Sequence, residues 1–220
     1  MIVGEGQVTE LRALDATMRG DRWAGVFSGY FDNAKDFADA AMSIDSAKGI
    51  YFIPNPVQPE LLARACNRIR RAPRGESTTD ANIVRRKWLL IDIDAIRPSG
   101  ISASKEEHEA SHHRSGDVWM YLHDELGWGD PITADSGNGA HLLYKIDFPI
   151  EDGGAVKACL QDLSDRFSDD KVTVDVSVYN PSRIWKLYGT VACKGDHTES
   201  RPHRLARIIN APRELSGGAV

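Results

Sequence analysis

From Lys87 to Asp94 the chain reads as a strand whose alternation puts Leu89, Ile91 and Ile93 on one face and Asp92 and Asp94 on the other. The pattern returns at 172–178, where Val172, Val174, Val176 and Val178 form an apolar face and Thr173, Asp175 and Ser177 a polar one. Further strands are predicted from Trp23 to Tyr30, Gly49 to Pro54, Ile132 to Asp135, His141 to Asp147, Ile184 to Tyr188 and around Leu205 to Ile209. Helical spacing lies between them. Asp32 is placed to cap a helix running to about Met42, and Pro59 to open one that buries Leu61, Leu62, Ala65 and Ile69. Ser104 and Glu107 form a capping-box pattern before a long helix carrying Val118, Leu122 and Leu126. Val156, Cys159, Leu160, Leu163 and Phe167 make one face of another. Strands alternating with helices predict an α+β chain built on a mixed sheet.

At 220 residues and 41% hydrophobic content the chain can bury a core as one domain with a packed subdomain. The expected division is an N-terminal α/β module at about 20–80 and a core at about 85–210, within one domain spanning 1–220. No run approaches the ~20 apolar residues of a membrane span, and Met1-Ile2-Val3-Gly4 does not open a signal peptide, so a cytoplasmic protein with no membrane partner is expected. Cys66, Cys159 and Cys193 suggest no disulfide framework. The net charge of -5 argues against binding nucleic acid over the whole surface. Two basic runs stand out, however: Arg68, Arg70, Arg71, Arg74, Arg85, Arg86 and Lys87, and Arg183, Lys186, Lys194, Arg201, Arg204 and Arg207. Each flanks a carboxylate strand.

Three carboxylates from two strands of one sheet would repel one another unless a cation sat between them, and hard divalent ions take oxygen ligands. Asp92, Asp94 and Asp175 are therefore candidate metal ligands. Ser136, Gly137, Asn138, Gly139 and Ala140 read as a glycine turn between two strands, with amides able to cradle phosphate oxygens and His141 beginning the next strand. Arg183, Lys186 and Lys194 are candidate triphosphate contacts; the first two fall on opposite faces of a regular strand. His108-Glu109-Ala110-Ser111-His112 matches the zinc-protease helix signature. Its neighbours Lys105, Glu106, Glu107, His113 and Arg114 belong on a solvated face, so no zinc is expected.

In this order Asp92-x-Asp94, the Ser136 to His141 segment and Asp175 resemble the three motifs of the archaeo-eukaryotic primase superfamily, with 49–57, 180–183 and 201–204 similar to its phage and plasmid primase-polymerases. The resemblance covers roughly Trp23 to Ile209. The Ser136-to-His141 spacing is longer than the shortest family form, which puts the weight of that motif on His141. The resemblance implies an RRM-like catalytic core with a packed N-terminal α/β subdomain. The implied activity is DNA-templated nucleotidyl transfer, as primase or polymerase, in replication of a mobile element. It also implies two Mg²⁺ or Mn²⁺ ions on Asp92, Asp94 and Asp175, and a nucleoside triphosphate oriented by the glycine turn, His141, Arg183, Lys186 and Lys194. Implied partners are a single-stranded DNA template with its primer, and a helicase domain or protein. An end-joining-type repair polymerase of the same superfamily would use the same site, and a non-catalytic nucleic-acid-binding module is the alternative from another class. A replication-origin nuclease would need a His-x-His pair, which the sequence lacks. Because Arg213 to Val220 follow the last predicted strand closely, ready extension of a primed template but poor initiation is expected.

Overall fold

The computed structural model describes residues 2–4, 6–73 and 75–212. Arg74 of the first basic run and the tail at 213–220 lie outside them. Along the chain the elements are β1 (Thr9–Met18), β2 (Gly25–Phe31), α1 (Ala34–Met42), β3 (Ile44–Ser46), β4 (Gly49–Phe52), β5 (Arg70–Arg71), β6 (Arg86–Ala95), α2 (Lys105–Met120), β7 (Ile132–Asp135) and β8 (Gly139–Phe148). They continue as α3 (Ala155–Phe167), β9 (Val172–Val174), β10 (Trp185–Lys186), β11 (Val191–Ala192), β12 (Arg204–Leu205) and β13 (Arg207–Asn210). The fold is mixed α and β, and its paired strands are antiparallel. Two compact units divide the chain. The first comprises Met1–Lys87, Asp147–Ile150 and Asn180–Leu187, and the second Trp88–Ile146, Glu151–Tyr179 and Tyr188–Val220.

In the first unit the sheet runs β10-β4-β1-β2-β5, with β3 also pairing with β1. Its central strand, β1, has no apolar run to announce it: Glu10 is fully buried within it beside Leu11 and Ala13. Arg12 grips the Glu10 carboxylate at 2.9 and 2.6 Å, the Ser28 hydroxyl donates to it at 2.6 Å and the Thr78 amide at 3.2 Å. A buried charge needs such partners. Burial alone would raise the carboxyl's pKa, but these partners hold it below its ordinary range.

Two local expectations fail here. Asn33, not Asp32, caps α1, accepting from the Asp36 amide at 2.9 Å. Asp32 instead accepts from the Asn67 side chain at 2.9 Å. The helix expected after Pro59 is a six-residue 3₁₀ turn, Pro59–Arg64. Pairing with β2 overrides the helical pattern: the Tyr30 amide donates to the Ala65 carbonyl at 3.1 Å and the Asn67 amide to the Tyr30 carbonyl at 2.9 Å.

The second unit is a five-stranded sheet, β13-β7-β8-β6-β9, whose first four strands in the chain arrive in the order β6-α2-β7-β8-α3-β9. Toward the end of β6 the alternation holds, with Ile91 and Ile93 fully buried and Asp92 and Asp94 partly exposed. The capping box of α2 forms: Ser104 Oγ accepts from the Glu107 amide at 3.2 Å and Glu107 Oε2 from the Ser104 amide at 2.8 Å. α3 buries Val156, Leu160 and Leu163 and packs against β9 and α2. The strand expected across 172–178 stops at Val174. Asp175 takes the Ser177 amide at 2.7 Å and the Ser177 hydroxyl at 2.9 Å, which turns the chain into a 3₁₀ segment at Val176–Tyr179. Among the described residues no helix is long and apolar enough to cross a membrane.

Candidate metal and nucleotide site

β6 lies between β8 and β9, and its register with β9 brings the carboxylates together. Ile93 pairs with Val174 and Asp94 with Thr173, so one step further sets Asp92 opposite Asp175. A hydrogen bond from the Asp175 amide to the Asp92 carbonyl, 2.9 Å, continues the ladder to that point. Cross-strand neighbours share a sheet face, as do positions two apart in a strand. Asp92, Asp94 and Asp175 therefore share one face. The sequence periodicity reached this face correctly for β6, whereas Asp175 owes its place to the register rather than to a continuing strand.

The electrostatics there are unfavourable for bare carboxylates. Burial and then the neighbouring Asp92 push the Asp94 carboxyl above its usual range, and Arg97, Lys194 and His141 only partly offset this. Arg97 Nη1 approaches Asp94 Oδ1 at 3.4 Å and also donates to the Ala95 carbonyl at 3.0 Å. Asp92 and Asp94 crowd one another and Asp175 lies on the same face with both carboxylate oxygens on Ser177, an all-oxygen donor set of the kind that suits a hard divalent cation such as Mg²⁺ or Mn²⁺.

His141, in β8, is buried, with Nδ1 2.9 Å from the Tyr188 hydroxyl and Nε2 3.4 Å from Asp92 Oδ1. The phenol thus sets the ring so that its other nitrogen faces the carboxylates. Neither Arg97 nor Tyr188 stood out in the sequence: one follows the predicted strand that ends at Asp94, the other is the last residue of the strand predicted from Ile184. An arginine three residues after the second aspartate was the only signal.

The glycine turn serves the site chiefly through its backbone. The Gly137 amide donates to Asp135 Oδ1 at 2.6 Å, and the Asn138 and Gly139 amides to Ser136 Oγ at 3.3 and 2.9 Å, so all three are used within the turn. Asn138 is buried, and its Oδ1 accepts from the Ala103 amide at 2.8 Å, tying the turn to the segment before α2. Gly137 has φ of +90°, and a Cβ there would stand 2.9 Å from the Arg204 carbonyl oxygen. A Cβ on Gly139 would overlap the Ile93 carbonyl oxygen and stand 2.7 Å from Asp94 Oδ1. The second glycine is what allows β8 to approach β6 beside the carboxylates.

The cations divide between the units. Lys194 is in the second, close enough to favour the ionised Asp94, with its carbonyl accepting from Ser102 Oγ at 3.0 Å. Arg183 and Lys186 belong to the first. Lys186 is buried there in β10, its Nζ 5.6 Å from the centre of the Tyr51 ring. Much of both basic runs is engaged internally: Arg70 with Glu76, Arg85 and Lys87 with Asp147, and Arg201 with Glu107. Arg204 donates to the Ala103 carbonyl.

No protein-family model matches the chain, and no curated protein matches it. Among solved structures, the crystal structure of primase RepB' is similar, with a TM-score of 0.45 at 12% identity over 93% of this chain. The chain spans about half of that protein, 51% of its length. A likeness of this degree assigns no residue, so the site stands on its own geometry.

Proposed function

We propose that the second unit is the catalytic core of a metal-dependent nucleotidyltransferase that copies a DNA template, as a primase or DNA polymerase. The observation that carries this reading is the cross-strand placement of Asp175 opposite Asp92, with Asp94 on the same sheet face. The β-α-β-β-α-β order, with its strands arranged β7-β8-β6-β9, supports an RRM-like core of the kind the sequence motifs imply. The substrates are a nucleoside triphosphate and a primed single-stranded template.

Asp92, Asp94 and Asp175 hold two divalent ions, Mg²⁺ or Mn²⁺, whose chemistry when bound is to activate a 3′-hydroxyl and neutralise triphosphate charge. His141, oriented by Tyr188, donates from Nε2 to a triphosphate oxygen. Lys194 adds positive charge near Asp94. Arg97 holds Asp94 in position through its contact at 3.4 Å. The Ser136–Gly139 turn fixes β8 against β6, so His141 and the carboxylates keep their spacing. Positioning and charge neutralisation of this kind supply most of the acceleration in phosphoryl transfer, without a covalent intermediate.

The test is to incubate the protein with a single-stranded template, labelled nucleotides and Mg²⁺ or Mn²⁺, with and without a primer. Template-dependent incorporation that vanishes in Asp92→Ala is the expected result. Wild-type protein that binds DNA but incorporates nothing with either ion would replace this reading with a binding module.

A further inference from the structure

His108 and His112 lie one turn apart on α2, a spacing that points both rings to one side of the helix. That side meets β7. His108 Nε2 is 2.9 Å from Asp135 Oδ1 and His112 Nε2 is 3.7 Å from the same oxygen, with the two rings 4.6 Å apart at their centres. The three ligand atoms all lie within 4.8 Å of one another. Four ligands about 2.0 Å from a tetrahedral centre are separated by about 3.3 Å, and the two measured spacings to Asp135 bracket that figure. His112 Nε2 is shielded from solvent and has no hydrogen-bond partner, an unusual state for a polar atom.

We propose that His108, His112 and Asp135 form a second metal site, distinct from the aspartate face, that takes a divalent transition ion of the zinc class. Two imidazoles and one carboxylate suit such an ion and do not suit Mg²⁺. Three protein ligands leave the fourth position for water. The site cross-links α2 to the end of β7. Asp135 already anchors the glycine turn by accepting from the Gly137 amide at 2.6 Å, so a metal there braces the segment that carries His141. Arg204 is the nearby cation, and its hydrogen bonds to the Ala103 and Pro202 carbonyls direct it to the backbone. In a zinc protease the glutamate of this helix motif is the general base; here Glu109 is exposed and pairs with Lys105 at 3.8 Å. Lys105, Glu106 and His113 lie on the exposed side of α2, whereas His108 and His112 lie on its half-buried side.

The test is calorimetric titration of chelator-stripped protein with zinc chloride in excess Mg²⁺, paired with thermal unfolding. One equivalent of zinc should bind the wild type and the Asp92→Ala, Asp94→Ala double variant alike. Zinc should raise the unfolding temperature of both. His112→Gln and, separately, Asp135→Asn should weaken zinc at least tenfold and lose that rise. Should Asp135→Asn fail to fold, His112→Gln, at a partly exposed helix position, gives the same reading. Absence of zinc binding by the wild type would overturn the proposal, as would zinc that survives His112→Gln but is lost from the Asp92→Ala, Asp94→Ala variant.

Discussion

The amide of Asp175 donates to the carbonyl of Asp92 across 2.9 Å, so two carboxylates separated by eighty-odd positions in the chain are neighbours on one sheet. The same Asp175 closes the strand it ends by binding Ser177 through both carboxylate oxygens. A single residue thus terminates β9 and stands in the candidate metal site.

That double role separates the three aspartates. Asp92→Ala, Asp94→Ala and Asp175→Ala should each abolish nucleotide incorporation. Asp175→Ala should in addition cost about 1 kcal/mol of stability, the scale of a lost capping interaction. Asp92→Ala should cost nothing, because it relieves repulsion with Asp94. Urea unfolding beside a primer-extension assay checks both parts, and near-native turnover in any of the three would remove that residue from the site.

Tyr188→Phe deletes only the hydroxyl that holds His141 Nδ1. Nucleotide use should fall about tenfold, the effect of losing about 1.4 kcal/mol of hydrogen bonding, and His141→Ala should fall at least as far. The double variant should be no worse than His141→Ala alone, since the phenol acts through the imidazole. Extension kinetics at varied nucleotide concentration measure this, and additive losses would show Tyr188 acting independently.

Gly139→Ala should be destabilising and inactive together. Its Cβ would collide with the Ile93 carbonyl oxygen, which is backbone and cannot swing away, and would crowd the Asp94 carboxylate. A cost of about 1–3 kcal/mol is expected from overpacking. Gly137→Ala meets the Arg204 carbonyl and a left-handed backbone as well. Thermal unfolding of both variants reads the effect, and wild-type stability in Gly139→Ala would show that β8 and β6 have room to separate.

Glu10 makes the first unit acid-sensitive. Its folded pKa lies below the ordinary glutamate value, so the carboxylate contributes stability above that ordinary range and loses it as pH falls through the lowered folded value. Glu10→Gln should cost about 2–3 kcal/mol at neutral pH, where it breaks charged hydrogen bonds to Arg12, Ser28 and Thr78. The difference from wild type should shrink at an acid pH below the lowered folded value, where both carry a neutral side chain. Urea titrations at the two pH values decide it; an undiminished gap in acid would mean that packing, not charge, is lost.

Local signals were legible in the sequence because their causes are local. The alternation of β6 follows from the two-residue period of a strand, the capping box of α2 from donors and acceptors three residues apart, and the turn at Gly137 from a backbone that only glycine adopts easily. Sequence alone therefore determined that Asp92 and Asp94 share a strand face, that a glycine turn precedes His141, and that the chain mixes α and β. Tertiary structure decided the rest. β1 is central although its buried positions include a glutamate, because Arg12, Ser28 and Thr78 converge on that charge from separate segments. Pairing with Tyr30 turned an expected helix into a 3₁₀ turn. Register set Asp175 opposite Asp92, folding brought Arg97 to Asp94 and Tyr188 to His141, and the packing of α2 on β7 set two helix histidines against Asp135. Each of these depends on which distant segment becomes a neighbour, and that is specified by the free energy of the whole packed chain rather than by the spacing within any one stretch.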